Sequence, residues 1–218
     1  MSDHYEISFV VPAYNEARRI IPTLEKIRHY AESTFYRWEI LVVDDGSQDR
    51  TAALVKKHFE TSDCRHPMRL LCNETNRGKG YSVRKGFLES QGEVVLFTDS
   101  DLSTPIEEAE KLLGPIRSGG YDGAIASRAL RGSRILVHQP FFREYGGKVF
   151  NGMVRLLAWL PFHDTQCGFK AFRRKPFLPI FQQQKIERFA FDVEILYLAK
   201  KWKRKVAEIP VLWSHCSD

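Results

Sequence analysis

The stretch from Val94 to Asp101, VVLFTDSD, decides the fold, because an apolar run without a polar face is followed at once by two carboxylates. Uninterrupted apolar residues are typical of a central parallel strand that is covered by helices on both faces. Ile40 to Val43 has the same character and also runs into a pair of aspartates. The sequence therefore predicts an α/β protein with a mostly parallel sheet flanked by helices.

The first 125 residues alternate between short β-branched runs and longer segments with helical periodicity. This alternation is the pattern of a parallel sheet with crossover helices. The predicted strands cover residues 7–12, 39–44, 69–72, 94–98 and 123–127. The predicted helices cover residues 16–33, 50–60, 81–90 and 106–117.

The rest of the chain is less regular and begins with a basic stretch over residues 128–142, which predicts a functional loop. No linker or internal repeat divides the chain, so we expect one domain over residues 1–218. Further predicted elements are a helix over 144–159, a turn entering a strand over 164–172, a helix over 191–203 and a closing strand over 206–213.

The formal net charge of +6 makes acidic partners attractive, whether nucleotide phosphates, anionic lipid headgroups or nucleic acid. Nucleic-acid binding is disfavoured because the sequence has no RNP-like aromatic run, zinc-ligand spacing or continuous basic helix. We find no secretory signal and no apolar stretch near the roughly 20 residues that a spanning helix needs. These features predict a cytoplasmic protein without a transmembrane helix.

Polar clusters follow four of the predicted strands, at the edge of an open sheet where ligands bind. They are Tyr14 to Glu16, Asp44 to Ser47, Asp99 to Asp101, and Ser127 with Arg128. Any one of them is also explained as a turn that caps a helix. Four such clusters on one edge predict a binding site.

Asp99 and Asp101 place two carboxylates one residue apart at the end of a buried strand. Hard oxygen ligands of this kind hold Mg²⁺ or Mn²⁺ and leave coordination positions open for phosphate oxygens. The D-x-D triplet alone also occurs in turns and calcium loops. Its position after the apolar strand favours a metal site.

Five motifs follow one another in the first 128 residues: VPAYNE (11–16), VDDGSQDRT (43–51), NRGKG (76–80), DSD (99–101) and ASR (126–128). Two later segments are DTQCGFK (164–170) and ERFAFDVE (187–194). With these motifs the chain resembles the family 2 inverting glycosyltransferases of GT-A fold over about residues 5–213. The two later segments look like the dolichyl-phosphate β-glucosyltransferase branch and related polyprenyl-phosphate glycosyltransferases.

The resemblance implies a nucleotide-sugar-binding half over residues 1–127 and an acceptor-side half over 128–218, the latter truncated at its carboxyl terminus. A Lys-containing loop that reaches the nucleotide phosphates is expected after Trp213, and the chain ends at Asp218 without one. In the first half, the nucleoside pocket would be lined by Pro12, Tyr14 and Glu16, and the base would be held by Asp44 or Asp45.

For the diphosphate, the resemblance makes Asp101 the principal metal ligand. Asp99 and Ser100 would lie against the ribose and diphosphate, with Asp99 a second candidate for the metal and Ser103 near its outer shell. The turn over residues 76–80 lacks the phosphate-loop spacing, and we interpret it as a helix entry that brings Lys79 or Arg77 near phosphate.

On the acceptor side, Arg128 and Arg143 are candidate bidentate donors to an acceptor phosphate, with solvated surface arginines as the alternative interpretation. Asp164 is expected to orient the acceptor loop or the sugar, with a structural role equally open. The apolar and basic residues between 141 and 162 predict peripheral contact with the cytoplasmic face of a membrane, or else core packing.

The activity that follows from the resemblance is inverting transfer of glucose from UDP-glucose to dolichyl or polyprenyl phosphate, with Mg²⁺ or Mn²⁺ as cofactor. GDP-mannose as donor is the nearest alternative, since the aspartates of the base pocket do not discriminate. A non-catalytic domain that only binds a sugar nucleotide is a third hypothesis.

Overall fold

The computed structural model describes residues 5–35, 37–137 and 159–215, and within them seven strands form one sheet and two more form a small separate pair. The large sheet has the order β3-β2-β1-β4-β7-β5-β8, and β6 pairs with β9. The strands are β1 (Ile7–Ala13), β2 (Trp38–Asp44), β3 (Met68–Cys72), β4 (Val94–Phe97), β5 (Gly123–Ser127), β6 (Arg134–Val137), β7 (Lys170–Arg173), β8 (Val206–Pro210) and β9 (Leu212–Ser214).

The large sheet is parallel except at β7, which lies antiparallel between β4 and β5. β1 pairs in parallel with β2 and with β4, β2 with β3, and β5 with β8. The predicted α/β class and mostly parallel sheet are confirmed. The first five strands lie where the apolar runs predicted them, with ends that differ by at most one residue.

Helices cover the sheet on both faces. The helical bounds are α1 (Ile20–Thr34), α2 (Thr51–Thr61), α3 (Lys79–Glu89), a 3-10 turn (Ile106–Glu108) leading into α4 (Ala109–Arg117), α5 (Arg174–Gln183) and α6 (Phe191–Lys201).

Three sequence-based expectations differ from the structure within the described ranges. The first helix begins at Ile20 and not at residue 16, because the backbone of Asn15 to Ala17 is bonded to the loop after β2. Residues 134–137 of the basic stretch form β6, and the closing segment is divided into β8 and β9 around Val211. The predicted helix over 144–159 lies almost entirely outside the described residues.

The alternation of side chains along β1 explains the two-layered core. Phe9 and Val11 pack into the cluster that includes α1 and α4, while Val10 packs into the cluster that includes α3, α5 and α6. α3 lies so close to β1 that a Cβ added at Gly86 would be 2.3 Å from a Val10 methyl. Burial on both faces fixes the strand register, because a one-residue slip would exchange the two sets.

The carboxyl ends of β1, β2 and β4 meet at one edge of the sheet. Backbone hydrogen bonds continue past the strand ends, from Asp45 N to Ala13 O at 2.8 Å and from Thr98 N to Val10 O at 3.1 Å. These bonds hold the residues after β2 and β4 beside the end of β1. The sheet thus assembles three of the four predicted polar clusters at one place.

No helix in the described ranges combines the length and the apolar character needed to cross a membrane.

Candidate functional site

A pocket of about 590 Å³ opens at this edge of the sheet. It brings together eight of the residues that the sequence predicted for nucleotide and metal binding. Residues on its wall that sequence reasoning did not assign are Ala13, Asn76, Gly78, Ser82, Arg188 and Phe189. The predicted residues on the wall are Pro12, Tyr14, Glu16, Asp45, Lys79, Asp99, Ser100 and Asp101.

The first wall is a turn after β1 that interlocks with the loop after β2. Asn15 has a positive φ of 58°, its N–H donates to Ser47 Oγ at 2.9 Å, and its side-chain oxygen accepts from Gln48 N at 2.9 Å. Glu16 N donates to Thr51 Oγ1 at 2.8 Å. These bonds hold Tyr14, which is 41% exposed, and Glu16 at the rim of the pocket.

The two aspartates after β2 have different environments. Both Asp45 oxygens accept hydrogen bonds, Oδ1 from Arg77 N at 3.0 Å and Oδ2 from Gly78 N at 2.7 Å, so this carboxylate joins β2 to the turn before α3. Asp44 is buried, and its Oδ2 accepts from Ser47 N at 3.0 Å. Its Oδ1 is buried and accepts no hydrogen bond from the described residues, so Asp44 keeps one acceptor atom unused.

The aspartates of the D-x-D triplet are held by different partners. Asp101 accepts from Ser103 N and Ser103 Oγ, both at 2.8 Å, so its carboxylate orientation is fixed from one side. Ser103 is buried, and it orients Asp101 without lining the pocket itself. Asp99 forms an ion pair with Lys79 and leans over Gly168, where an added Cβ would be 2.0 Å from Asp99 Oδ2.

The Lys79 ammonium interacts with two carboxylates, those of Asp99 and Asp192. Burial lowers the pKa of Lys79, but the charges of Asp99 and Asp192 outweigh this effect, and that pKa is raised overall. Lys79 therefore remains protonated and cationic at neutral pH. The arrangement places a fixed positive charge beside the D-x-D triplet.

Behind Lys79, Asp192 pairs with Lys170 at 2.6 Å between Oδ1 and Nζ. Both side chains are almost wholly buried, with 4% and 1% of their surface exposed. Burial raises the pKa of Asp192, and the attraction of Lys170 and Lys79 does not offset it. Sequence reasoning missed this pair, because Lys170 begins the short strand β7 (KAFR) and Asp192 lies on α6.

Arg128 and Asp164 form an ion pair with each other. Arg128 Nε lies 2.7 Å from Asp164 Oδ2, Nη2 lies 3.0 Å from Oδ1, and the Arg128 backbone N–H also donates to Oδ2 at 3.1 Å. Burial raises the pKa of Asp164, but the hydrogen bonds and charge of Arg128 reverse this, and the pKa falls below its usual value. Neither residue lines the pocket, and their predicted roles at the acceptor stay predictions. Arg143 lies outside the described residues.

The family model described as glycosyl transferase family 2 matches residues 8–181. A dolichyl-phosphate beta-glucosyltransferase of Trichomonas vaginalis is 38% identical over 222 residues, with 97% of this chain and 64% of the relative covered. The human dolichyl-phosphate beta-glucosyltransferase is 36% identical, with 96% and 67% covered. The chain thus spans somewhat less than two thirds of the Trichomonas relative and about two thirds of the human one.

Two solved structures share the fold. Mannosyl-3-phosphoglycerate synthase from Rubrobacter xylanophilus has a TM-score of 0.71 at 20% identity, with 98% of this chain and 67% of that chain covered. Glucosyl-3-phosphoglycerate synthase from Mycobacterium tuberculosis, solved with Mn²⁺, UDP and glucosyl-3-phosphoglycerate, has a TM-score of 0.68 at 18% identity, with 99% and 73% covered. The family model covers most of the chain and, together with the curated relatives, shows that the protein belongs to glycosyl transferase family 2.

Proposed function

We propose that this chain transfers glucose from UDP-glucose to dolichyl or polyprenyl phosphate with inversion, giving a β-linked lipid-phosphate sugar. The observation that carries the proposal is that the turn after β1, the β2 end and the D-x-D triplet line one pocket. Curated relatives that are named for glucose transfer to dolichyl phosphate, at 36–38% identity, support the choice of sugar and acceptor. The two predicted halves, 1–127 and 128–218, remain a proposal.

The residues present fit a divalent metal. Asp101 supplies an oriented carboxylate and Asp99 a second one, while no group of three or more metal-binding side chains occurs in the described ranges. A site with few protein ligands suits Mg²⁺ or Mn²⁺, which share their coordination sphere with phosphate oxygens and water. When bound there, the metal neutralises charge that develops on the leaving diphosphate.

Lys79 adds a second positive charge on the donor side. Its raised pKa keeps it protonated, and it reaches Asp99 at the pocket wall. An ammonium here would stabilise the leaving diphosphate without any proton transfer. We propose that Lys79 contacts the diphosphate, and that the unused oxygen of the buried Asp44 contributes to the base side of the site.

The proposed acceptor makes a general base unnecessary. A phosphate monoester has a second pKa near 6, so it reaches the site as an ionised nucleophile at neutral pH. The tasks left to the protein are to position this oxygen and to stabilise charge. Because the acceptor is a membrane lipid, we also propose peripheral contact with the cytoplasmic membrane face, although most of the residues predicted for that contact lie outside the described ranges.

The activity is tested by incubating the protein with Mn²⁺, dolichyl phosphate and either radiolabelled UDP-glucose or radiolabelled GDP-mannose. We expect labelled lipid from UDP-glucose only. Label from GDP-mannose alone would replace the glucose assignment with a mannose one. UDP binding without transfer from either donor would support the non-catalytic alternative.

Gly168→Ala should weaken UDP binding in the presence of Mn²⁺ by about tenfold, since the new methyl group occupies the place of the Asp99 carboxylate and displaces it from Lys79. Isothermal titration calorimetry with UDP measures the effect. Gly114→Ala is the matched control, because a Cβ there meets nothing within 4 Å. Equal UDP affinities for Gly168→Ala and Gly114→Ala would contradict a role for the Asp99 position.

A further inference from the structure

An acceptor phosphate at this pocket needs a cationic partner, and two arginines differ in their availability. Arg128 directs Nε and Nη2 toward Asp164. Arg188, by contrast, is exposed and lines the pocket. Within residues 5–35, 37–137 and 159–215, its guanidinium makes no hydrogen bond or ion pair. Arg188 is therefore the arginine that has its donors unengaged at the pocket wall.

Phe189, the next residue, lines the same pocket and is 73% exposed. Its ring has no polar atom to interact with water, so exposure to this extent leaves a large apolar surface unburied. Single exposed apolar residues are common on protein surfaces. An exposed phenylalanine at the pocket wall, directly after an arginine that lines the same pocket, is a more specific combination.

The loop that carries Arg188 and Phe189 is held firmly against the start of α3. Gln184 Nε2 donates to Gly80 O and to Ile186 O, both at 2.9 Å. Tyr81 N donates to Glu187 O at 2.9 Å. These bonds fix the backbone on the amino-terminal side of Arg188, so the two side chains are presented by a pre-organised segment.

Two glycines allow this close approach. Gly78 has a φ of 107°, and a Cβ there would lie 2.7 Å from Glu187 O. A Cβ at Gly80 would lie 2.6 Å from Phe191 Cβ. Because Gly78 and Lys79 also belong to the pocket wall, the loop and the donor side of the pocket form one continuous surface.

We propose that Arg188 and Phe189 form a subsite for an amphiphilic phosphate monoester, in which Arg188 binds the phosphate and Phe189 contacts the first apolar units attached to it. The guanidinium offers two parallel N–H donors to phosphate oxygens. The adjacent ring matches a ligand whose apolar chain starts directly at the phosphate. This inference rests on the proposed function and names the residues that receive its acceptor.

The test is calorimetric titration of farnesyl phosphate into the protein with UDP and Mn²⁺ present, which requires no turnover. Arg188→Gln should weaken farnesyl phosphate binding by about 10- to 100-fold, the effect of losing a charge-assisted hydrogen-bond pair, with UDP affinity kept within about twofold. Arg65→Gln, at an exposed arginine in the loop between α2 and β3, is the matched control.

Phe189→Ala should weaken the binding of farnesyl phosphate about tenfold and leave the binding of methyl phosphate unchanged, because only the contact with the apolar chain is removed. Phe189→Leu should retain most of the farnesyl phosphate affinity. Tyr121→Ala, at an aromatic residue that is 41% exposed and does not line the pocket, is the control. Unchanged thermal unfolding of each variant shows that the fold is retained.

Three results would overturn the subsite. The first is that farnesyl phosphate does not bind to the wild-type protein. The second is that the wild type and Arg188→Gln bind farnesyl phosphate equally well. The third is that Arg188→Gln loses affinity for UDP while its binding of farnesyl phosphate is unchanged. The last result would assign Arg188 to the donor diphosphate. Failure of glucose transfer, together with Arg188-dependent binding of farnesyl phosphate, would contradict the proposed activity and leave the subsite standing.

Discussion

Asp192→Ala should lower the free energy of unfolding by about 3–5 kcal/mol, the cost of leaving a buried charge without its partner. Lys170 has 1% of its side chain exposed, and its ammonium lies 2.6 Å from the Asp192 carboxylate. Water cannot replace the lost carboxylate at this depth. Urea denaturation of the wild type and the variant, followed by circular dichroism, measures the difference.

The double variant Lys170→Met with Asp192→Leu removes both charges but keeps side chains that fill the space, so it distinguishes the effect of the charges from the effect of packing. The raised pKa of Asp192 indicates that burial disfavours its charge more than Lys170 and Lys79 favour it. Replacing both members by apolar residues should therefore leave stability unchanged or increase it. If the free energy of unfolding of Asp192→Ala alone were within about 1 kcal/mol of the wild-type value, burial of the Lys170 charge would not depend on Asp192.

Asp101→Ala should lower kcat/KM for transfer from UDP-glucose by at least about 100-fold, because it removes the carboxylate that we propose as the principal metal ligand. Ser103 donates to both oxygens of Asp101 and orients this carboxylate, whereas Asp99, the other carboxylate of the triplet, is paired with Lys79. Initial rates with saturating Mn²⁺ and dolichyl phosphate measure the effect.

The control for this variant is Asp63→Ala, at an exposed aspartate in the loop between α2 and β3. It removes the same charge from the protein and should leave kcat/KM unchanged. If Asp101→Ala retained more than about a tenth of the wild-type value, the metal would have to be held by other residues.

The central sheet was predictable because its strands are read from continuous apolar runs. Val94 to Phe97 and Ile40 to Val43 have no polar face, and burial on both sides is the arrangement that suits such runs. The convergence of their polar ends also follows from sequence, since parallel strands share one carboxyl edge. Most of the pocket wall is therefore predictable from the order of the strands and the polar residues at their ends.

α5 was not predicted because local sequence disfavours it. Pro179 lies inside the helix, where it removes one backbone hydrogen bond. Tertiary packing decides in favour of the helix, since Phe177, Ile180 and Phe181 are fully buried against the sheet. Local propensity alone does not contain this contribution.

Long-range pairing of charges was equally hidden. Asp192 and Lys170 lie on different elements, α6 and β7, and nothing in their local sequence shows that they meet. The sequence predicts Arg128 as an acceptor-binding cation, and its pairing with Asp164, 36 positions away, depends on the fold. The exposed Arg188 and Phe189 became candidates through their position on the pocket wall.

Titration of UDP into the wild-type protein, once with Mn²⁺ and once with EDTA, tests the central claim most directly. That claim is that the D-x-D edge of the sheet is a metal-dependent nucleotide site. We predict that UDP binds at least about tenfold more tightly with Mn²⁺ than with EDTA, since Asp101 would hold a cation that offsets the negative charge of the diphosphate. Equal affinity under the two conditions would contradict the account.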